Sequence, residues 1–211
     1  MSQRLIYVMD PLCSWCWGFA PVIDAIRESA PQLAIHLVVG GLRSERDPLT
    51  DKARSVLAEH WEAVKEVSGQ PFADPAALPE RFVYDTEPAC RALIVGRELD
   101  VEKVWMLTKI IQHQFYAGGV DVSQTSVLVD LAEQAGYQRQ SFSDAYDAEI
   151  TRAAIAADFS WTRDLGIAGF PTLLAQRNGQ LALLTNGYQS AKVVLPLLER
   201  WLAAGQGIST V

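Results

Sequence analysis

Cysteine is scarce in this chain, with three residues (Cys13, Cys16 and Cys90) among 211. So few thiols exclude a disulfide framework, and a chain of this length buries roughly 70% of its extended surface without such staples. Histidine is as sparse (His36, His60 and His113). Tetrahedral zinc wants about four ligands at recognisable spacing, so no metal is expected. No apolar run approaches the roughly 20 residues of a membrane span. Basic residues number 18 against 25 acidic ones, a formal charge of −7, and no Lys/Arg run occurs. This balance disfavours nucleic-acid binding and polybasic membrane contact. The first ten residues, MSQRLIYVMD, are too short and too soon charged for a signal peptide, which points to the cytoplasm.

What the chain does have is ordered apolar patterning. Residues 5–9 (LIYVM) form a short apolar run ended by Asp10-Pro11, which predicts a buried strand. A helical pattern runs from about residue 13 to 29, with Pro21 expected to kink or divide it. Residues 33–39 (LAIHLVV), stopped by Gly40-Gly41, read as a second strand, completing a βαβ unit. The next hundred or so residues carry no comparable β signal. They predict helices opened by Thr50, Thr86, Asp100 and Ser123, then one long helix from about 143 to 165. Strands return at 172–176 and 180–184 around Asn178-Gly179, a type I′ hairpin signal. A final helix starts near Ser190, where Pro196 marks its true first turn or a bend. The expected divisions are 1–44 and 158–211 for the two halves of an α/β unit, and 45–157 for a helical insertion.

Cys13-Ser14-Trp15-Cys16 stands directly after a strand and at a helix start. Residues i and i+3 of a helix have Cα atoms about 5 Å apart, inside the ~4.4–6.8 Å window of a disulfide. The pair can therefore close and open with the backbone still. With Cys13 at the N-cap, the free N–H groups of Trp15 and Cys16 can point at its sulfur and favour the thiolate, the nucleophilic form. Cys16, one turn inside, would resolve the mixed disulfide that Cys13 forms with a client. Gly169-Phe170-Pro171-Thr172 leads into the hairpin, and local sequence leaves the isomer of Pro171 open.

The segments Asp10-Pro11-Leu12-Cys13-Ser14-Trp15-Cys16-Trp17-Gly18-Phe19 and Gly166-Ile167-Ala168-Gly169-Phe170-Pro171-Thr172 resemble the DsbA family of thioredoxin-like proteins, in its cytoplasmic, FrnE-like branch. The resemblance covers essentially the whole chain. It implies a thioredoxin fold whose βαβ and ββα halves flank a helical insertion. It also implies that Cys13 is the nucleophile, Cys16 its partner and Pro171 a cis-proline facing them, with the Phe170 backbone lining a client's extended segment. Ser14-Trp15 replaces the Pro-His of strongly oxidising periplasmic members. That removes one source of thiolate stabilisation and favours reductase, isomerase or thiol-exchange chemistry over net oxidation. The expected partners are disulfide- or thiol-bearing proteins or small thiols, with glutathione as a possible co-substrate and no other cofactor.

Two alternatives remain at this level. One is a glutathione-dependent transferase or isomerase of the related kappa-class and 2-hydroxychromene-2-carboxylate isomerase branch. The other is a peptide-binding module without turnover. Among single residues, Trp15 is expected to face the client, with Ser14 beside it binding the client as well and tuning Cys13. Trp17 and Phe19 should pack. His113 is expected to line a substrate groove, and Asp10 to shape the turn with Pro11 or to assist proton transfer at Cys16. Cys90 reads as a small buried hydrophobe, or alternatively as an auxiliary thiol.

Overall fold

β1 (Gln3–Met9), α1 (Ser14–Ser29) and β2 (Ala34–Val39) open the structure, a computed structural model that describes residues 3–206. β1 and β2 pair in parallel, from Arg4 opposite Ala34 to Met9 opposite Val39, so α1 is the crossover of the expected βαβ unit. Leu5, Tyr7 and Met9 face the main core, while Ile6 and Val8 lie in a second cluster with Val38 and Leu174. Both faces of the strand are thus covered, which is why its sequence reads as an unbroken apolar run.

Pro21 does not divide α1, which continues to Ser29. The proline cannot donate to the carbonyl of Trp17. That carbonyl accepts instead from Gln70 Nε2 at 3.0 Å, so its hydrogen bond is restored by a side chain from elsewhere.

The insertion comprises β3 (Ser44–Pro48), α2 (Asp51–Ser68), a 3₁₀ turn (Pro75–Ala77), β4 (Val83–Asp85), α3 (Glu87–Leu99), α4 (Val104–Tyr116), α5 (Thr125–Gln134), α6 (Arg139–Asp147) and α7 (Glu149–Asp164). Two sequence expectations are corrected here. β3 and β4 form an antiparallel ladder inside a region read as wholly helical. β3 is exposed along its length, so no alternation of apolar residues announces it. The expected helix 143–165 is two helices that meet at Ala148, held extended at ψ 144°. α7 then carries the chain through residue 157 without a break.

β5 (Thr172–Arg177), β6 (Gln180–Asn186) and α8 (Ala191–Gln206) complete the fold. Asn178 and Gly179 both have positive φ (51° and 82°), as a type I′ turn requires. Pro196 lies inside α8. The sheet order is β2-β1-β5-β6, with β5 antiparallel to both of its neighbours. This is the βαβ and ββα arrangement of a thioredoxin fold. α1 packs against α8, α2 and α4, and α7 against β2.

β2 is an edge strand whose outward groups are taken up by side chains. Arg97 Nη1 donates to Leu37 O (2.7 Å) and to Asp158 Oδ2 (2.8 Å), and the same oxygen accepts from Val39 N (3.0 Å). A pair from α3 and α7 thereby closes that edge.

Candidate functional site

Cys13 caps α1 with extended angles (φ −87°, ψ 114°). Its carbonyl accepts from Cys16 N at 2.9 Å and Trp17 N at 3.1 Å, which sets the two cysteines one turn apart. Both are free thiols. The expectation that helix N–H groups turn toward the Cys13 sulfur is not met, because the side chain makes no capping bond. The amide of Cys16 is used by the Cys13 carbonyl instead. The sulfur donates across the site to Phe170 O at 3.5 Å.

That carbonyl belongs to a cis peptide between Phe170 and Pro171. Gly187 N donates to Pro171 O (2.7 Å) and Thr172 Oγ1 to Gly169 O (2.8 Å), which fixes the loop from both sides. The Phe170 ring lies on Gly40 so closely that a Cβ at Gly40 would overlap it. Only a glycine at the end of β2 lets the ring seat there. The structure thus brings Cys13, Cys16, Phe170 and Pro171 together from two ends of the chain.

Beneath the pair the site is buried and polar. Cys16 is fully buried, and burial pushes its thiol well up, with the nearby Cys13 sulfur adding to the effect. Tyr7, whose hydroxyl meets the Cys16 thiol, is raised for the same reason. Asp10 is 0% exposed. Its Oδ1 accepts from Leu12 N (2.8 Å), the turn role expected of it, and its Oδ2 accepts from Leu42 N (2.6 Å). Burial raises the Asp10 carboxyl above the usual range, while the Leu42, Thr86, Leu12 and Cys90 hydrogen bonds oppose the rise. Cys90 is buried as anticipated, yet its Sγ donates to Asp10 Oδ2 at 3.5 Å. Burial and the Asp10 charge push this thiol up as well.

Around the pair, Trp15 is half-buried between Tyr188 (ring centroids 5.5 Å apart) and His60 (6.1 Å, edge-on). Ser14, expected beside it at the client surface, is buried at 5% exposure. Trp17 and Phe19 pack inside, and Trp17 Nε1 donates to Pro71 O at 3.0 Å. His113 stands apart from Trp15 and the Phe170 loop. It meets Trp17 edge-on at 6.2 Å in a hollow of about 390 Å³ with Pro21, Gln70 and Lys109. Tyr84, Arg43 and Tyr188 were not foreseen. Tyr84 Oη donates to Leu12 O at 2.6 Å, and the Arg43 guanidinium lies 4.7 Å over the Tyr84 ring. Nothing local in sequence marks these residues, because they reach the pair only through the fold.

The family model of the DSBA-like thioredoxin domain matches residues 4–195. The chain belongs to this family. Its fold is similar to a crystal structure from Nitrosomonas europaea provisionally described as a protein disulfide isomerase. The two are 36% identical with a TM-score of 0.90, over 97% of this chain and 99% of that one. The cytosolic disulfide reductase DsbM of Pseudomonas aeruginosa is 28% identical with a TM-score of 0.81, over 95% and 99% of the two chains. A second DsbM structure, 26% identical over 96% of this chain and 98% of that one, with a TM-score of 0.75, was solved with GSH. Among curated proteins, the ClpXP adapter protein SpxH of Halalkalibacterium halodurans is 22% identical over 172 residues, 79% of this chain. This DSBA-like chain spans about half the length of the curated relatives it matches, 56% for that one. No helix among the described residues is long and apolar enough to cross a membrane.

Proposed function

We propose that this DSBA-like protein is a thiol–disulfide oxidoreductase working in the cytoplasm in the reductive direction. The observation that carries the reading is the Cys13 thiol, at the head of α1, held against the carbonyl that precedes Pro171. The Cys13 thiolate attacks a client disulfide, forming a Cys13–client bond and releasing one client thiolate. Cys16 then gives up its proton and attacks Cys13 Sγ. The second client thiolate leaves and takes up a proton, and the Cys13–Cys16 disulfide remains. The client gains two electrons and the pair loses two. Two equivalents of a small thiol such as glutathione restore the dithiol, becoming a disulfide themselves. Phe170 and Pro171 would hold an extended client segment over Cys13, with Trp15 beside it. The names of the P. aeruginosa relative, a cytosolic disulfide reductase solved with GSH, support the direction, the compartment and the thiol.

The test is trapping. Cys16→Ser incubated with a disulfide client should accumulate a mixed disulfide on Cys13, and Cys13→Ser should form none. Undiminished turnover in Cys13→Ser overturns the reading. Undiminished turnover in Cys16→Ser would instead indicate a single-nucleophile glutathione transferase or isomerase. Direction is read from the reduction potential: a value near −270 mV, about that of thioredoxin, supports a reductase, and one near about −120 mV an oxidant.

The SpxH relatives favour a second reading, a binding module that uses the same groove. Under it, Cys13→Ser keeps full affinity for the partner and the wild type shows no exchange.

A further inference from the structure

Arg43 and Leu49, the residues at either end of β3, stand across a groove of about 450 Å³ from one side of α2. Lys52, Val56 and His60 line it at four-residue steps, so they form a single stripe along the helix. The His60 end of the stripe adjoins the redox pair. His60 meets the Trp15 ring edge-on at 6.1 Å, and Tyr188 lies on the other side of that ring at 5.5 Å. Tyr188 in turn follows Gly187, whose amide donates to Pro171 O. One surface thus runs from the cis-proline past Trp15 and into the groove.

The length of that surface decides what can occupy it. Lys52 is two turns of α2 from His60, about 12 Å at a rise of 1.5 Å per residue. Extended chain advances about 3.3 Å per residue, so a segment leaving the pair reaches Lys52 after about four to six residues. The carboxylates of a small thiol, within about two residues of its sulfur, fall short.

The lining is basic and unopposed. Apart from Tyr84, its ionisable groups are Arg43, Lys52 and His60, in a chain of net charge −7. None of the three forms an ion pair among the described residues. The hollows beside α1 are compensated instead. Lys109 paired with Asp24 at 2.7 Å lines both of them, and Arg27 with Glu102 lines the larger. Val56, 57% exposed, sets an apolar step between Lys52 and His60. The Arg43 guanidinium is held in advance over the Tyr84 ring, so it loses little freedom on meeting an anion.

We propose that this groove holds an acidic stretch of a protein client, about four to six residues from the cysteine being reduced, and so selects among protein disulfides. The assignment rests on the thiol–disulfide reading above, and the experiment separates the two. The chemistry is unchanged: the client disulfide gains two electrons from the Cys13–Cys16 dithiol, and a small thiol restores that dithiol. The net charge repels acidic proteins at a distance. A client held here is therefore chosen by its local charge pattern, not by long-range attraction.

The test uses homodimeric disulfides of blocked peptides of about twelve residues, long enough to run from a central cysteine to Lys52. Three forms carry glutamate, glutamine or lysine about four to six residues from the cysteine on either side. Each is mixed with the reduced protein, and oxidation of the dithiol is followed by tryptophan fluorescence. The glutamate form should react about two- to fivefold faster than the glutamine form, and the lysine form more slowly. Added salt should shrink the difference. In Lys52→Gln the glutamate-to-glutamine ratio should fall toward one. Lys52 is exposed in the first turn of α2, so its replacement tests the charge without disturbing the packing. With the glutamates moved next to the cysteine, the ratio should be the same in Lys52→Gln and the wild type. Equal rates for the three forms, or a Lys52 effect equally large at both spacings, overturns the proposal and leaves the oxidoreductase reading standing. A pair inert to every peptide disulfide, while a serine-for-cysteine glutamate peptide still binds in a Lys52-dependent way, sinks the oxidoreductase reading and leaves the groove assigned.

Discussion

Asp10→Ala is the sharpest test of how the site is held together. The carboxylate is fully buried and accepts from two backbone amides, Leu12 N and Leu42 N, as well as from the Cys90 thiol. Removing it leaves the Leu12 N–H, in a buried turn, with no acceptor, a loss of about 1–3 kcal/mol. The Leu42 bond is only part-buried, so water replaces much of it. Against these losses stands relief, since burial penalises the ionised carboxylate. The net effect near pH 7 should be a destabilisation of about 2 kcal/mol.

The pH dependence follows from direction alone. The carboxyl pKa is raised in the folded protein, so its ionisation costs the fold. The stability gained from the protonated form is complete below the unfolded value of about 3.9 and is lost as pH rises through the folded value. The gap between wild type and Asp10→Ala should therefore widen as pH falls from 7 to 4. Urea unfolding at both pH values, followed by tryptophan fluorescence under reducing conditions, measures it. Other titrating groups, His36 and His60 among them, cancel in the difference between the two proteins. A gap below about 0.5 kcal/mol at both pH values, or one that grows with pH, would refute the account of Asp10 as the buried tie of this turn.

Three further outcomes are expected. Gly40→Ala forces the Phe170 ring off its seat, costing about 1–3 kcal/mol and slowing mixed-disulfide formation on Cys13; an unchanged urea midpoint and unchanged rate would contradict it. Asp158→Ala removes the buried partner of Arg97, whose side chain is 9% exposed, leaving it the Leu37 carbonyl and the exposed Glu98 at 3.3 Å, and should cost about 2 kcal/mol in the same unfolding assay, whereas a surface-like loss under about 0.5 kcal/mol would show that the β2 edge does not depend on the pair. Iodoacetamide at pH 8 should label Cys13 (6% exposed) well before Cys16 and Cys90 (both 0%). Peptide mass mapping that finds all three modified together in the native protein would show the burial to be wrong.

The order of elements was legible in the sequence because the strands of the central sheet read as short apolar runs, β1 apolar on both faces, and each turn has its own chemistry. Residues 5–9, 33–39 and the Asn178-Gly179 hairpin needed no tertiary information. β3 was invisible for the opposite reason, since Ser44–Pro48 is exposed and charged and pairs only because β4 is brought beside it. The break at Ala148 carries neither proline nor glycine, so a helical pattern ran across it. In the site, Cys13, Cys16, Phe170 and Pro171 were picked out from local motifs. Tyr84, Arg43 and the bond between Cys90 and Asp10 were not, because 80 residues separate the last pair and no spacing rule reaches that far. The sulfur-capping geometry failed because the Cys13 carbonyl, not its side chain, takes the Cys16 amide.

The contact between Cys13 and Phe170 spans 157 positions in the chain, and β1 likewise waits for β5 to cover its second edge. On a ribosome adding about 5–20 residues each second, the two thiols emerge many seconds before the loop that will face them. During that interval they stand beside an unpaired strand with nothing to govern which sulfur they meet. The nascent chain is thus at its most promiscuous before it is finished. On the proposed thiol-exchange reading, its selectivity is the last property synthesis confers, arriving only when the C-terminal hairpin docks.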